Sequence, residues 1–168
     1  TTIAEGNNST AMGSTTIAAG NYSTAMGGYS TAKGHYSIAM GCHNYSYGMS
    51  SFTEGSANIA SGNYSIAMGW DTFAKGHYSI AMGYYNHSYG KASFAEGSGC
   101  TASGDYSVAM GNGSMAVGNN SIAMGKNCTA SGEYSTAMGY GLIVHKPYTL
   151  GNRGPIYGEE LYSKQLDI

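Results

Sequence analysis

The eight residues GHYSIAMG occur at positions 34–41 and again, unchanged, at positions 76–83. The glycine that ends this octapeptide belongs to a longer series, since glycine recurs at every seventh residue from Gly6 to Gly139, twenty times without interruption. A fixed sequence period indicates a repeat architecture in which each unit packs against its neighbours. The octapeptide is therefore one part of a stack of equivalent units.

Two fibrous helical folds can be excluded as the source of this period. A coiled coil also repeats every seven residues, but a glycine in each heptad would cost about 1 kcal/mol relative to alanine. The first leucine of the chain is moreover Leu142. Collagen requires glycine at every third residue and abundant proline, whereas the first proline here is Pro147. The repeat unit is therefore not one of these helices.

The residues that precede each glycine alternate between small and large side chains, as in Ser37-Ile38-Ala39-Met40-Gly41. Two residues before the glycine stands alanine in seventeen of the twenty repeats. Alternation with a period of two is typical of a β-strand with one face turned inward. Each heptad is therefore predicted to form a strand of about five residues, followed by a turn at the glycine and its two successors, where glycine tolerates positive φ.

A second period of fourteen residues distinguishes alternate heptads. Methionine precedes glycine in most of the even-numbered heptads, whereas the intervening heptads carry mainly polar residues there, including Glu5, Lys33, Ser61 and Lys75. One coil therefore consists of two strands and two turns, with one strand facing an apolar surface and the other facing water. We predict an all-β protein: a parallel β-roll of 14-residue coils over residues 1–141. Ten coils at about 4.8 Å each give a rod of roughly 45–50 Å.

The methionine-bearing strands predict a trimer. A single roll would expose their apolar stripe along its whole length, which marks an interface, and packing about a threefold axis would bury it equally in every copy. Glu54 and Glu96 replace methionine in this row, so a trimer would gather three carboxylates at each level. Such carboxylates could hold a cation or share protons, but we expect them to bend outward to lysine or water. The predicted trimer interface consists of Met12, Met26, Met40, Ile38, Ile66, Met68, Ile80, Met82, Val108, Met110, Ile122, Met124 and Met138.

The sequences Ser-Ile-Ala-Met-Gly and Ser-Thr-Ala-Met-Gly resemble the YadA-like head repeat of trimeric autotransporter adhesins, over roughly residues 1–140. The resemblance implies a left-handed parallel β-roll, three copies of which assemble side by side about an axis. It also implies a head that attaches a cell to its surroundings. The same repeat is similar to segments of phage and viral fibres, so a purely structural fibre or filament subunit is the alternative function.

Tyrosines two residues after glycine are the predicted partner-binding residues. Aromatic side chains with a polar tip suit contact with a host-surface protein, a matrix protein or a glycan, although packing against neighbouring chains of the same trimer is an equal alternative. The set consists of Tyr22, Tyr29, Tyr36, Tyr64, Tyr78, Tyr106 and Tyr134.

The cysteines and histidines do not predict a metal site. Cys100 and Cys128 occupy the same inward repeat position two coils apart, too far for a disulfide, so we expect buried free thiols; Cys42 on a turn could be exposed. His35 and His77 are equivalent turn residues 42 positions apart, and we expect them to be solvated. No metal and no cofactor are predicted.

Composition and motifs exclude several classes of function. The net charge of −2 and the isoelectric point near 6.1 lack the basic character that nucleic-acid binding needs. No apolar run reaches the roughly 18 residues of a membrane helix, so no direct membrane insertion is predicted. The chain lacks the sequence motifs of serine hydrolases, zinc proteases and nucleotide-binding loops, and an enzyme is not expected.

The last part of the chain, residues 142–168, has a different composition. All four leucines, both prolines and six of the sixteen charged residues lie here. Because the end of a solenoid exposes unpaired strand edges, we interpret this segment as a C-terminal cap or docking element, with a disordered linker as the alternative. The predicted location of the protein is extracellular, on a cell surface or a virion surface.

Overall fold

The computed structural model describes residues 1–146, which form two parallel sheets of alternating strands. Odd-numbered strands make one sheet in the order β1-β3-β5 and onward to β21, and even-numbered strands make the other in the order β2-β4-β6 and onward to β20. Every pairing is between strands two apart in sequence and is parallel. The described chain is thus an all-β solenoid of about ten coils, as predicted.

The strands of the two sheets differ in length. The short strands have two residues each: β1 (Ile3–Ala4), β3 (Ile17–Ala18), β5 (Thr31–Ala32), β7 (Tyr45–Ser46), β9 (Ile59–Ala60), β11 (Phe73–Ala74), β13 (His87–Ser88), β15 (Thr101–Ala102), β17 (Met115–Ala116), β19 (Thr129–Ala130) and β21 (Ile143–Val144). The long strands have five residues each: β2 (Thr10–Ser14), β4 (Thr24–Gly28), β6 (Ile38–Cys42), β8 (Phe52–Ser56), β10 (Ile66–Trp70), β12 (Ile80–Tyr84), β14 (Phe94–Ser98), β16 (Val108–Asn112), β18 (Ile122–Lys126) and β20 (Thr136–Tyr140).

The register between coils is fourteen residues. In the long-strand sheet Met68 pairs with Met82, and in the short-strand sheet Phe73 pairs with His87. Each residue therefore lies directly above the residue fourteen positions earlier, so that a chemical type repeated at this spacing forms a continuous row along the rod. The 14-residue coil predicted from the methionines is confirmed.

The interior of the roll is filled by very small side chains. The alanines two residues before glycine are fully buried in nearly every coil, as are the serines and threonines four residues before it. Such side chains allow the two sheets to approach closely, and they leave no room for a conventional core of leucine or phenylalanine. The prediction of a small inward face is confirmed.

The prediction of two similar strands, each ending at glycine, was wrong. In the long strands the glycine is the fourth of five residues, as Gly69 in β10, and its φ is +120°. In the alternate heptads the glycine follows a two-residue strand and lacks the positive φ, as at Gly62. Glycine is needed there because a Cβ atom at Gly62 would overlap the carbonyl oxygen of Gly76 in the next coil. Close backbone approach, which both sets share, accounts for the seven-residue period.

Three buried asparagines form a structural feature that the repeat pattern did not predict. Asn44, Asn58 and Asn86 are the largest fully buried side chains, and they lie at one repeat position on the turn after a long strand. The Asn58 amide donates to the carbonyl oxygens of Glu54 at 2.9 Å and Gly69 at 2.8 Å. These side chains therefore satisfy backbone groups of two successive coils inside the roll.

The roll extends beyond residue 141, where the sequence composition changes. Strand β21 pairs with β19, so that Ile143 lies over Thr129 and Val144 over Ala130. The first residues of the segment predicted as a cap are therefore part of the short-strand sheet. The remainder of that segment, residues 147–168, lies outside the described residues, and its role as a cap or docking element stays a prediction.

Candidate binding surfaces

The outward face of the long-strand sheet carries a row of methionines, interrupted only by Glu54 and Glu96. Met12, Met26 and Met40 are paired in register, as are Met110, Met124 and Met138 at the other end. A parallel row, two residues earlier in each strand, contains the predicted Ile38, Ile66, Ile80, Val108 and Ile122. These side chains are partly exposed in the single chain, and Met12 and Met138, at the two ends of the row, are more than half exposed. The structure therefore brings all thirteen predicted interface residues onto one face.

Two phenylalanines in this face were missed by the sequence analysis. Phe52 pairs with Ile38 and Ile66, and Phe94 pairs with Ile80 and Val108. Their positions could have been found by adding fourteen to those of the neighbouring isoleucines. Because each phenylalanine stands beside the glutamate that interrupts the methionine row, the apolar face continues across the two coils that carry Glu54 and Glu96.

The predicted partner-binding tyrosines lie on turns and are exposed. All seven have φ values between 53° and 60°. These values lie in the left-handed region, which is unfavourable for bulky residues. Equivalent turn positions in other coils hold Gly99, Gly113, Asn8 or Asn120, residue types that adopt this conformation more readily. Thr15, Ser50, Ala57 and Ala92 adopt the same conformation at equivalent positions, so the turn imposes it whatever the side chain, and backbone geometry does not explain why tyrosine recurs there.

The tyrosines occupy two edges of the roll rather than one. Tyr22, Tyr36, Tyr64, Tyr78, Tyr106 and Tyr134 follow short strands and share one edge, which we call the first edge, whereas Tyr29 follows a long strand and lies on the opposite, second edge. On the first edge, Tyr22 stacks on Tyr36 and Tyr64 stacks on Tyr78, each with ring centroids 5.2 Å apart. Tyr29 instead stacks on His43 at 4.9 Å. The sequence analysis treated these residues as one set, which the structure corrects.

Side chains at the start of the first-edge turn link consecutive coils. The Asn63 side-chain oxygen accepts the Met49 backbone N–H at 3.0 Å, and Nδ1 of His77 accepts the Asn63 N–H at 3.1 Å. His35 accepts the Asn21 N–H in the same way. His35 and His77 therefore act as hydrogen-bond acceptors for the backbone, a role that the sequence analysis did not recognise.

The second edge carries the largest aromatic cluster of the described residues. Trp70 and Tyr84 end adjacent long strands and stack at 4.9 Å, and Tyr85 contacts both rings edge-on at 4.9 and 4.5 Å. On the adjoining short strands Phe73 contacts His87 at 5.0 Å, and the Lys75 ammonium lies 5.6 Å from the Phe73 ring centre. None of these residues was among the predicted site residues, although Trp70 stands out in the sequence as the single tryptophan.

The match to a protein-family model identifies the repeat. The model described as YadA head domain repeat (2 copies) matches residues 4–30, 18–41, 55–72, 74–99, 102–127 and 116–141, which together make up more than half of the chain. The chain belongs to the YadA head domain repeat family. Comparison with curated protein sequences gives no match, so the assignment depends on the repeat itself.

Membership of the YadA head family confirms the resemblance stated from the SIAMG repeats. YadA heads are non-enzymatic adhesin domains of the trimeric autotransporter type and are exposed at bacterial surfaces, which supports a location at the cell surface. Residues 4–141 of this YadA head repeat protein therefore combine an adhesin-type solenoid with an exposed apolar face and two aromatic edges.

The cysteines of this YadA head roll are free thiols. Cys100 and Cys128 are buried and unpaired, and Cys42 is exposed at the end of β6, as the sequence analysis expected. Burial raises the pKa of the Cys100 thiol, which keeps it protonated and unreactive at neutral pH. The Cys128 thiol donates to the Gly139 carbonyl oxygen at 3.1 Å, in the position that serine occupies in other coils.

Within residues 1–146 no helix is long and apolar enough to cross a membrane. Nor does this part of the chain gather three or more histidine, cysteine, aspartate or glutamate side chains in a way that could hold a metal ion.

Proposed function

We propose that this protein is the head of a trimeric adhesin, which is exposed at the cell surface and attaches by multivalent contact through its outer turns and strands. The observation that carries the proposal is the apolar face of the long-strand sheet, in a chain whose family is that of adhesin heads. This face is continuous in register over ten coils, and an exposed apolar patch of such length marks an interface.

A threefold assembly accounts for this face better than an open association. Parallel packing about an axis buries the methionine row in every copy, and closed rotational symmetry stops further addition of subunits. Both aromatic edges of each roll then recur three times around the rod. Several weak contacts made at once give an avidity far above that of a single contact, which suits attachment to a repetitive surface.

The introduction of negative charge into the methionine face tests whether the protein is a trimer. We expect the wild-type chain to have the mass of three subunits by size-exclusion chromatography with light scattering. In the variant Met68→Asp/Met82→Asp, several like charges would lie in a dry seam, at a cost of several kcal/mol per site, and the trimer should dissociate. The matched control Ser61→Asp/Ser103→Asp adds the same number of charges to the short-strand sheet and should remain trimeric.

The outcomes separate the oligomer from the adhesive role. A monomeric wild-type chain, or a methionine variant that remains a trimer of unchanged stability, would contradict the proposed interface. Adhesion is measured separately, by the binding of the wild-type trimer to immobilised extracellular-matrix proteins and to cultured cells. A trimer that binds none of these surfaces but forms long filaments would favour the structural-fibre function instead.

A further inference from the structure

The second edge contains a cluster of side chains that departs from the repeat. We call the three contacting rings of Trp70, Tyr84 and Tyr85 the ring cluster; they come from the ends of β10 and β12 and the turn after β12. Their exposed fractions are 42%, 48% and 39% respectively. Three aromatic rings that contact one another while each remains substantially exposed present a large surface for a ligand.

The ring cluster is bounded along the rod by small side chains. In the long-strand register Trp70 pairs with Ser56 on one side, and Tyr84 pairs with Ser98 on the other. Because successive coils are about 4.8 Å apart, each serine forms a ledge one coil deep beside the outer face of a stacked ring. A flat ring of another molecule could continue the stack on either ledge, with the serine hydroxyl below it as a hydrogen-bond partner.

Polar groups surround the rings on adjoining coils. Asp71 follows Trp70, and its carboxylate interacts electrostatically with both Tyr85 and His87. Partial burial, the neighbouring Tyr84 and the Asp71 carboxylate raise the pKa of Tyr85, so its hydroxyl stays neutral and can both donate and accept. Burial lowers the pKa of His87, which keeps this imidazole neutral at physiological pH and able to donate or accept.

The charges near the ring cluster are mainly negative, because Glu54 and Glu96 lie two residues before the ledge serines Ser56 and Ser98 on the same strands. Asp71 supplies one negative charge, and Lys75 supplies one positive charge, whose ammonium lies 5.6 Å from the ring centre of Phe73 and 5.3 Å from that of Tyr89. Those two rings already engage the ammonium as cation–π partners. The carboxylates therefore disfavour an anionic ligand, whereas the exposed rings and the hydroxyl groups beside them can receive an uncharged one.

The fold does not require these side chains, as the duplicated segment shows. Residues 33–69 and 75–111 are copies at a distance of 42 residues, in which Cys42 and His43 are equivalent to Tyr84 and Tyr85. Trp70 directly follows the first copy, and Asn112, 42 positions later, directly follows the second. The copies have the same pattern of strands. Tyr85 and Asp71 also have left-handed φ values of 53°, where later coils have Gly99 and Gly113. The Tyr85 ring is therefore present at some conformational cost, and the copies show no structural need for Tyr84 or Tyr85.

We propose that the ring cluster, with Asp71 and the ledges of Ser56 and Ser98, binds a neutral saccharide. A pyranose ring has one face of C–H groups, which packs on an aromatic ring face, and a rim of hydroxyl groups, which a carboxylate and serine hydroxyls recognise. The inference deepens the adhesive function proposed above by naming a ligand class. It uses residues of one chain, so a monomeric protein that binds saccharide would refute the trimer and leave this site standing.

Trp70 is the only tryptophan of the protein, so its fluorescence reports directly on this site. The full chain is titrated with cellohexaose, maltohexaose, mannohexaose and chitohexaose, and separately with hexagalacturonic acid and a proline-rich decapeptide. We expect a saturable change in emission with at least one neutral hexasaccharide. No response to any of the four, or a response to the acidic sugar or the peptide alone, would overturn the proposal.

Two substitutions locate the binding while retaining Trp70. Tyr84→Ser places in β12 the residue that β8 and β14 have in the same row, and Asp71→Asn keeps a residue type that tolerates left-handed φ. Each should weaken saccharide binding at least tenfold, with an unchanged circular dichroism spectrum. The matched control Tyr22→Ser/Tyr36→Ser removes a stacked pair from the first edge and should change the affinity by less than twofold. Equal loss in the control, or none in Tyr84→Ser, would refute the site.

Discussion

The buried asparagine at position 58 allows a quantitative test of how the coils are joined. The Asn58 side chain makes four hydrogen bonds with no exposure to solvent. Its amide donates to the carbonyl oxygens of Glu54 and Gly69 at 2.9 and 2.8 Å. Its oxygen accepts the backbone N–H of Thr72 at 3.0 Å and the Thr72 hydroxyl at 2.7 Å. The substitution Asn58→Ala removes all four bonds at once.

The expected loss of stability follows from the number of bonds. A typical hydrogen bond contributes about 1 kcal/mol net, and a buried partner left unsatisfied costs as much or more. Asn58→Ala should therefore lower the free energy of unfolding by about 4 kcal/mol. Asn58→Ser should cost about half of that, because serine at the equivalent position of another coil, Ser114, still donates to the Gly125 carbonyl at 3.1 Å.

Urea denaturation followed by circular dichroism measures these differences, at one fixed protein concentration because association would shift the midpoint. Native-state hydrogen exchange adds a local readout, since the Thr72 amide should lose protection in Asn58→Ala. The matched control is Asn63→Ala, which removes a side-chain oxygen that accepts one backbone N–H near the surface. If Asn58→Ala costs no more than Asn63→Ala, the buried amide does not join the coils as argued here.

Three further predictions concern single positions. Gly62→Ala should prevent stacking of its coil, because the new Cβ atom would overlap a carbonyl group of the next coil. In Gly28→Ala the new Cβ atom meets only the Cys42 sulfur at 3.9 Å, and this substitution should stabilise the folded protein by up to about 1 kcal/mol. Equal midpoints of thermal unfolding for the two variants would contradict this prediction. Cys128→Ser should change the urea midpoint little, since Ser114 occupies the same place; a large loss would show that the thiol is needed. Because folding lowers the pKa of His87, mainly through burial, the unfolded state binds more protons and stability falls as the pH drops through about 6.5. His87→Gln should reduce this decline between pH 8 and pH 5 in denaturation curves, and an unchanged slope would refute it.

The repetition of the chain made most of the fold predictable. Glycine every seventh residue and methionine every fourteenth defined the coil, and alanine two residues before glycine identified the inward face. The strand lengths were not predictable in this way. Gly69 is paired within a long strand and has a φ of +120°, whereas Gly62 precedes the turn and lacks a positive φ. The sequence does not distinguish these two glycines, because both occupy the same position of the heptad.

The candidate binding residues were predicted less completely, because each set of residues was selected by a single sequence spacing. The tyrosine set was collected at seven-residue spacing, which mixes the two edges; fourteen-residue spacing would have separated Tyr29 from Tyr22 and Tyr36. Trp70 and Tyr84 belong to no row of identical residues. Their meeting depends on the coil register, and only the structure showed that Tyr85 completes the cluster.

The coil itself explains why departures from the repeat are informative in this protein. Inward positions accept only alanine, serine and similarly small residues, because the two sheets are close together. The glycines spaced by seven residues accept no side chain, because a Cβ atom would overlap the carbonyl group of the next coil. Outward positions carry neither restriction, so the backbone tolerates Cys42 and Tyr84 at equivalent places in the two copies. A large aromatic residue that appears in only one copy therefore cannot be attributed to folding. It indicates a contact made outside the roll, as we infer for Trp70 and Tyr84.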